Sequence, residues 1–355
     1  MKALVLAGGS GTRLRPFSYS MPKQLMPVAN TPVLEHVLRG IRDLGITEVG
    51  LIVGDWAAEI AETVGDGSRF GQRITYLRQD QPRGLAHCVS VARGFLGEDD
   101  FAMYLGDNIL LGSLGEVAEE FRARRPAAQV LVRSVADPRA FGVAELQPNG
   151  NVLRLVEKPE QPRSDLALIG VYFFTAAVHE AVAAIRPSAR GELEITDAIQ
   201  WLVESGRDVR ASVYHGYWKD TGKIEDLLEC NARLLSELRK DVAGQVDAVS
   251  RLQGEVSVAE GARVVRSWIA GPVVIGAGTL IEDSYIGPNT SIGRDCTVRS
   301  AGLTESIVLD GASISHVTGV RGSLIGRHAT VGAGDRGDVH HRLVIGDHGR
   351  IEIAA

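Results

Sequence analysis

Leu4-Val5-Leu6-Ala7-Gly8-Gly9-Ser10-Gly11-Thr12-Arg13-Leu14-Arg15-Pro16, followed by Pro22-Lys23, is the stretch from which the fold is read. Residues 2–6 have the length and β-capable composition of a short buried strand. The strand runs straight into glycines at 8, 9 and 11. Glycine permits φ > 0 and lets a ligand approach the main chain without a Cβ in the way. Successive N–H groups in such a turn form a concave anion site. Arg13 and Lys23 add two positive charges close in sequence. Many backbone donors together with Arg and Lys suit a polyphosphate. The two commoner glycine loops are excluded. G-x-x-x-x-G-K-[ST] occurs nowhere, and G-x-G-x-x-G begun at Gly9 and Gly11 fails at Leu14.

Outward from that loop the pattern alternates. Leu34, Val37, Leu38, Ile41 and Leu44 fall at helical spacing before Gly45. Strand-like runs follow at 49–53, 74–78, 101–105 and 130–135, separated by helical stretches at 85–96 and 113–125. This alternation argues an α/β fold with a mostly parallel sheet. Ligands of such sheets sit beyond the carboxyl ends of the strands. The glycine loop, the segment after residue 78 and Asp107 all occupy such positions. Residues 141–174 turn to short strands and loops, expected as an antiparallel insertion that lids the site. Residues 223–240 predict a connecting helix with one apolar stripe.

Beyond about residue 250 the helical pattern vanishes. Ser267-Trp268-Ile269 with Ile275, Ser284-Tyr285-Ile286 with Ile292, Ser306-Ile307-Val308 with Ile314 and Ser323-Leu324-Ile325 with Val331 repeat one motif. A coil of about eighteen residues with aliphatic corners stacks into a β-helix. The copies start 17, 22 and 17 residues apart, and the longer step implies a loop near Leu303. From about Gly334 the pattern is too irregular to place. The expected domains are 1–240, including the connecting helix, and 241–355.

Composition sets bounds. The chain has 355 residues, enough for two domains, and a net charge of −6 that advertises neither nucleic acid nor an anionic membrane. Cys88, Cys230 and Cys296 are too scattered for a disulfide framework or a zinc pattern, and fit a reducing compartment. No signal peptide and no membrane-length apolar run is present in the sequence, so a cytoplasmic protein is expected. Lysine stands only at 2, 23, 158, 219, 223 and 240, while arginine is about five times commoner. A compact ammonium among phosphates is hard for Arg to replace. Lys23, Lys158 and Lys219 each lie in a motif.

Asp107, in Leu105-Gly106-Asp107-Asn108, and Asp220, in Trp218-Lys219-Asp220-Thr221-Gly222, end strand-like runs. Either alone reads as a turn former. Beside a phosphate loop the two suit Mg²⁺, which takes one or two carboxylates plus phosphates and water. Gln79 offers a donor and an acceptor to a pyrimidine edge, thymine or uracil alike. His36 and His87 read as packed or surface positions. No Ser-His-Asp or Cys-His arrangement stands out, and phosphoryl-type transfer does not require one.

The ordered strings LAGGSGTRLRP, PKQLMPV, LGDN, EKP and WKDTG resemble the sugar-1-phosphate nucleotidylyltransferases over roughly residues 1–240, most of all their glucose-1-phosphate thymidylyltransferase branch. The coils resemble left-handed hexapeptide-repeat domains, which a longer class of these enzymes carries. The resemblance implies a Rossmann-like nucleotidyltransferase domain followed by a left-handed parallel β-helix. It implies Mg²⁺-dependent transfer of a thymidylyl group from dTTP to glucose 1-phosphate, with Leu6, Ala7, Gly8, Gly9, Gly11, Thr12, Arg13, Gln79 and Gly84 on the nucleotide. Gly142, Glu157, Lys158 and Val171 are implied on the sugar phosphate, Asp107 and Asp220 on the metal, and Arg13, Lys23 and Lys158 in catalysis. Gly191-Glu192-Leu193-Glu194-Ile195-Thr196-Asp197 also matches, without an assigned part. Asp80 stands where the family more often has proline, which leaves base choice more open than the chemistry.

Three alternatives stay open: UTP or another aldose phosphate as substrate; a bifunctional protein whose β-helix is an acyltransferase using His316 or His328; and a non-catalytic regulatory homologue, against which the intact charged set argues. A homo-oligomer is expected, with the β-helix as oligomer contact or effector surface.

Overall fold

The computed structural model describes residues 1–9, 11–112 and 114–332. Ser10 of the glycine loop and residues 333–355 of the expected C-terminal domain lie outside the described residues. The chain forms two compact units: Met1–Ser10 with Val33–Asp220, and Gly11–Pro32 with Thr221–Ala355.

The first unit contains β1 (Lys2–Leu6), β2 (Glu48–Val53), β3 (Arg73–Arg78), β4 (Phe101–Leu105), β5 (Asn108–Leu111), β6 (Ala128–Ser134), β7 (Gly142–Leu146), β8 (Val152–Glu157), β9 (Leu166–Phe174), β10 (Val209–Val213) and β11 (Tyr217–Asp220). Nine of them make one sheet in the order β8-β7-β9-β4-β1-β2-β3, with β6 paired to β9 and β10 to β6. β1 is parallel to β2 and β4, and β2 to β3. Covered on both faces, β1 has no polar alternation: Ala3, Leu4 and Val5 are fully buried. The helix Val33–Asp43 buries Leu34, Val37, Leu38 and Ile41, as their spacing predicts. β5 and β11 form a separate antiparallel ribbon.

The expected lid over 141–174 is corrected by the sheet. β7 and β8 are an antiparallel hairpin at its edge, but β9 lies inside it, antiparallel to β4, β6 and β7. The reason is in the residues: Leu166–Phe174 is apolar almost throughout and buried from Ala167 onward, so it cannot face water. A register shift between Leu168 and Tyr172 marks a bulge around Gly170, whose φ is 77°. A Cβ on Gly170 would lie 2.8 Å from Leu105 Cδ1.

The second unit is built on parallel strands in three sheets, a β-helix. Ser257 pairs with Val274 and Val274 with Ser291, giving a coil of 17 residues rather than eighteen. Inside, Ile269, Ile286 and Leu303 stack as one ladder, and Val258, Ile275, Ile292, Val308 and Ile325 as another. Each aliphatic buries its surface on the next coil, at about 25 cal/mol per Å². The 22-residue step is not a loop. Trp268 and Tyr285 lie in one sheet, whereas Ile307 and Leu324 lie in another, so the motif moves one side round the coil while Leu303 stays a corner. His316 and His328 occupy left-handed corner positions, with φ of 56° and 55°. Among the described residues no helix is long and apolar enough to cross a membrane.

Candidate active site

In the first unit β1 delivers Ala7, Gly8 and Gly9 to the end of the sheet. The Ala7 N–H donates to Ile52 O (2.8 Å) and the Gly106 N–H to Leu6 O (2.9 Å), which ties the loop to the strands on either side. Gly8 is closely enclosed: a Cβ there would sit 3.3 Å from Gln79 Oε1 and 3.7 Å from Gly54 N. Gln79 follows β3 directly, its N–H donating to Val53 O (2.9 Å), and its side chain is buried. Gly8 of the loop and Gln79 after β3 therefore adjoin at this end of the sheet.

Gly84 precedes the helix Leu85–Val91 and has φ of 100°. A Cβ there would collide with the Leu193 backbone, so the position requires glycine. The Leu193 N–H donates to Arg83 O (2.8 Å), and the Ala86 N–H donates to Leu193 O (3.0 Å). The unassigned 191–197 segment thus has a structural part: it clamps the loop that follows Gln79.

The same segment reaches the other side of the site. Thr196 Oγ1 donates to Glu157 Oε2 (3.1 Å), and Lys158 Nζ lies 3.2 Å from Glu157 Oε1. Glu157 ends β8 opposite Gly142 of β7. A Cβ on Gly142 would lie 2.5 Å from Thr196 Cγ2 and 3.3 Å from Glu157 Oε2, so glycine leaves that carboxylate its space. Lys158 has φ of 41°, held by its N–H donating to Phe141 O (3.0 Å). Val171, fully buried, lies opposite Tyr104 in β4. Burial, then the negative charge of Glu157, holds the Asp197 carboxyl above the ordinary range. Glu194 is also raised, chiefly by burial.

Asp107 follows β4 and is buried. In the ribbon Asp220 stands opposite Asn108. Asn108 Nδ2 donates to Asp107 Oδ1 (3.0 Å), and Trp218 Nε1 donates to Asn108 Oδ1 (2.7 Å). Trp218 is itself set edge-on against Phe141, ring centroids 5.4 Å apart.

In the second unit Arg13 and Lys23 lie in two short 3₁₀ turns, Thr12–Leu14 and Lys23–Leu25. Gly11 has φ of 64°, and a Cβ on it would come within 3.1 Å of Lys23 Cβ. Gly222 leaves room for Arg13: a Cβ there would lie 2.8 Å from the guanidinium carbon. The glycine of the W-x-D-T-G string therefore adjoins the Arg13 guanidinium.

Residues 2–237 match the family described as nucleotidyl transferase. The chain belongs to the nucleotidyl transferase family. Residues 269–353 of this nucleotidyl transferase match a second family, the GMPPB C-terminal domain. It is 56% identical over 355 residues to a glucose-1-phosphate thymidylyltransferase of Streptomyces griseus, covering all of both chains. It is 53% identical over 354 residues to one from Streptomyces antibioticus, covering 99% of each. Among solved structures, a Bacillus anthracis chain described as a glucose-1-phosphate thymidylyltransferase is 35% identical with a TM-score of 0.62, covering 66% of this chain and 94% of that one.

Nucleotidyl transferases generally use a divalent metal. The donor set fits a hard cation: Asp107 and Asp220 supply oxygens from neighbouring register positions. Among the described residues no group of three or more His, Cys, Asp or Glu could hold a metal by itself.

Sequence reasoning missed Thr196 and Asn108 as partners of the carboxylates, and it passed over His87, which lies 3.0 Å from Gln79 Nε2 through Nδ1. Thr196 sits in a motif already noticed. Nothing in the spacing pairs His87 with Gln79, because the intervening turn at Gly84 sets that distance.

Proposed function

We propose that this nucleotidyl transferase is a glucose-1-phosphate thymidylyltransferase. The full-length identity to two such enzymes carries the reading. The first unit supplies complementary chemistry, with an amide beside the glycine loop and a Glu157–Lys158 pair at the end of β8.

In this reading a phosphate oxygen of glucose 1-phosphate attacks the α-phosphorus of dTTP in line, and pyrophosphate leaves. Gly8, Gly9, Gly11 and Thr12, following Leu6 and Ala7, present backbone donors to the triphosphate. Arg13 and Lys23 neutralise the transferring and departing phosphates. Gln79 and Gly84 take the base. Gly142, Glu157 and Val171 take the sugar, and Lys158 holds its phosphate. Asp107 and Asp220 would hold Mg²⁺, which when bound acts as a Lewis acid on the α-phosphate. No covalent enzyme intermediate is needed, because positioning and charge neutralisation suffice for this transfer.

We further propose a cytoplasmic homo-oligomer, supported by the exposed Trp268 and Tyr285, whose ring centroids lie 5.1 Å apart on the β-helix. Sedimentation velocity tests this. The function is tested by pyrophosphate release with Mg²⁺ and glucose 1-phosphate against dTTP, UTP, CTP, ATP and GTP separately. Preference for dTTP is expected; better turnover with UTP would place the enzyme in another branch, and no release with any would overturn the reading.

A further inference from the structure

Gln79 carries both a donor and an acceptor, so its amide can read a pyrimidine in either of two opposite senses. The structure gives a reason for one of them. Gln79 Nε2 points to Gly84 O (3.5 Å) and to His87 Nδ1 (3.0 Å). A carbonyl oxygen can only accept. Reversing the amide would bring Gln79 Oε1 against Gly84 O, two acceptors with no hydrogen between them. Cys88 Sγ belongs to the same cluster, donating to Gly84 O at 3.7 Å. With Nε2 so engaged, Oε1 faces Gly8, whose Cβ position lies 3.3 Å away.

His87 can hold the amide this way only with Nδ1 unprotonated. Burial, then the Arg83 charge, pushes its pKa below the ordinary histidine value, which favours the neutral ring. Of the two neutral tautomers, the one with the hydrogen on the ring's Nε2 leaves Nδ1 to accept from the Gln79 amide.

We infer that His87 is a positioning residue for base selection: it fixes the Gln79 amide so that an acceptor, Oε1, meets the nucleotide base. This rests on the reading of Gln79 as the base-contacting residue. The consequence is chemical. Thymine and uracil carry a hydrogen on N3 and can donate to Oε1. Cytosine has a bare N3 and a 4-amino group, the reverse pattern, and would need the reversed amide. A site built on one hydrogen-bond sense rejects the base that leaves its polar groups unpaired. His87 thus selects imide pyrimidines over cytosine, while leaving dTTP and UTP to be separated elsewhere.

The experiment measures kcat/KM for dTTP and dCTP on the full-length enzyme carrying His87→Leu, His87→Gln or Gln79→Ala, with calorimetric binding of dTDP and dCDP alongside. His87→Leu is expected to lower the dTTP-to-dCTP ratio about 10-fold or more, through KM for the nucleotide, with KM for the sugar phosphate unchanged. His87→Gln, which can again offer an acceptor, is expected to recover most of the ratio. If His87→Leu folds and keeps the ratio within twofold, or loses dTTP and dCTP equally, the inference is overturned. If His87→Leu fails to fold, His87→Gln decides through the binding arm: dTDP preference retained supports the role, and preference lost with an acceptor in place removes it. Gln79→Ala separates the two levels. If it collapses the ratio and His87→Leu does not, only the role of His87 fails. If it leaves the ratio intact, the base-reading role of Gln79 fails and the inference with it.

Discussion

Asp220 stands opposite Asn108 in the antiparallel register of β11 on β5, one residue along the chain from Asp107. Two carboxylates more than a hundred positions apart in sequence are thereby set on adjoining backbone, and the Asn108 amide, engaged by both Asp107 and Trp218, fixes their surroundings.

Removing charge from either carboxylate should abolish metal-dependent turnover. Asp107→Asn and Asp220→Asn are each expected to lower kcat by about 10²-fold or more, the scale of losing one preorganised electrostatic element. Mn²⁺ titration followed by electron paramagnetic resonance checks the cause; binding as tight as in the parent would remove that residue from the metal site.

Lys158→Ala should raise KM for glucose 1-phosphate by roughly 10-fold, the scale of one charge-assisted contact of about 1.5 kcal/mol, and leave dTTP binding nearly unchanged. Equal losses toward both substrates would deny Lys158 its place on the sugar phosphate. Initial-rate kinetics with each substrate varied in turn gives the answer.

Gly142→Ala should be costly although it adds one methyl. The new Cβ meets Thr196 Cγ2 at 2.5 Å and Leu168 Cδ1 at 2.8 Å, both in packed surroundings. Overpacking of this kind costs about 1–3 kcal/mol. Displacing Thr196 also loosens Glu157, so sugar-phosphate KM should rise alongside the fall in denaturation midpoint. A melt indistinguishable from the parent would show that the neighbours yield freely.

The raised Asp197 carboxyl gives a pH prediction with a definite sign. Its folded form holds the proton more tightly than the unfolded chain does. The stability this contributes is complete below the ordinary carboxylate pKa and is lost as pH rises through the folded value. Asp197→Asn should therefore melt above the parent at pH 8, with the gap closing below about pH 4. Calorimetric scans at both pH values suffice, and a lower melting point at pH 8 would mean that the carboxylate makes a favourable contact.

Asn231, on the helix Ile224–Leu235, is fully buried. Its Oδ1 accepts from the Ala29 N–H (2.9 Å) and from Ser291 Oγ (2.5 Å), and its Nδ2 donates to Asn289 O (2.9 Å). Asn231→Ala strands these groups at once, for a loss of about 2–4 kcal/mol in the second unit. Urea unfolding followed at Trp268 reports it.

Much of this was legible in the chain. The central strands and the coils are long periodic signals, and both follow from which residues can face water. Asp107 could be placed because a strand end leaves a local mark, whereas Gly84 came from the family resemblance alone. The path of β9 through the sheet was not legible, since an apolar run shows burial without showing its neighbours. Nor was the 17-residue coil seen correctly: the same Ser-aliphatic string serves two sides of the β-helix, so counting copies mistook a turn of the corner for a loop. Thr196 and His87 act on Glu157 and Gln79 through distances set by tertiary turns, which no spacing rule encodes.

The hairpin formed by Pro27–Val28 and Thr31–Pro32 adds to the Asn231 joint, for Asn30 Nδ2 donates to Ile292 O (2.6 Å) in a β-helix coil. The segment 11–32, which begins a few residues after the first strand of the sheet, is thus folded as property of the other unit. Heating should expose this arrangement. The hairpin should lose its structure together with the coils, so that hydrogen-exchange protection of residues 27–32 follows that of the β-helix amides.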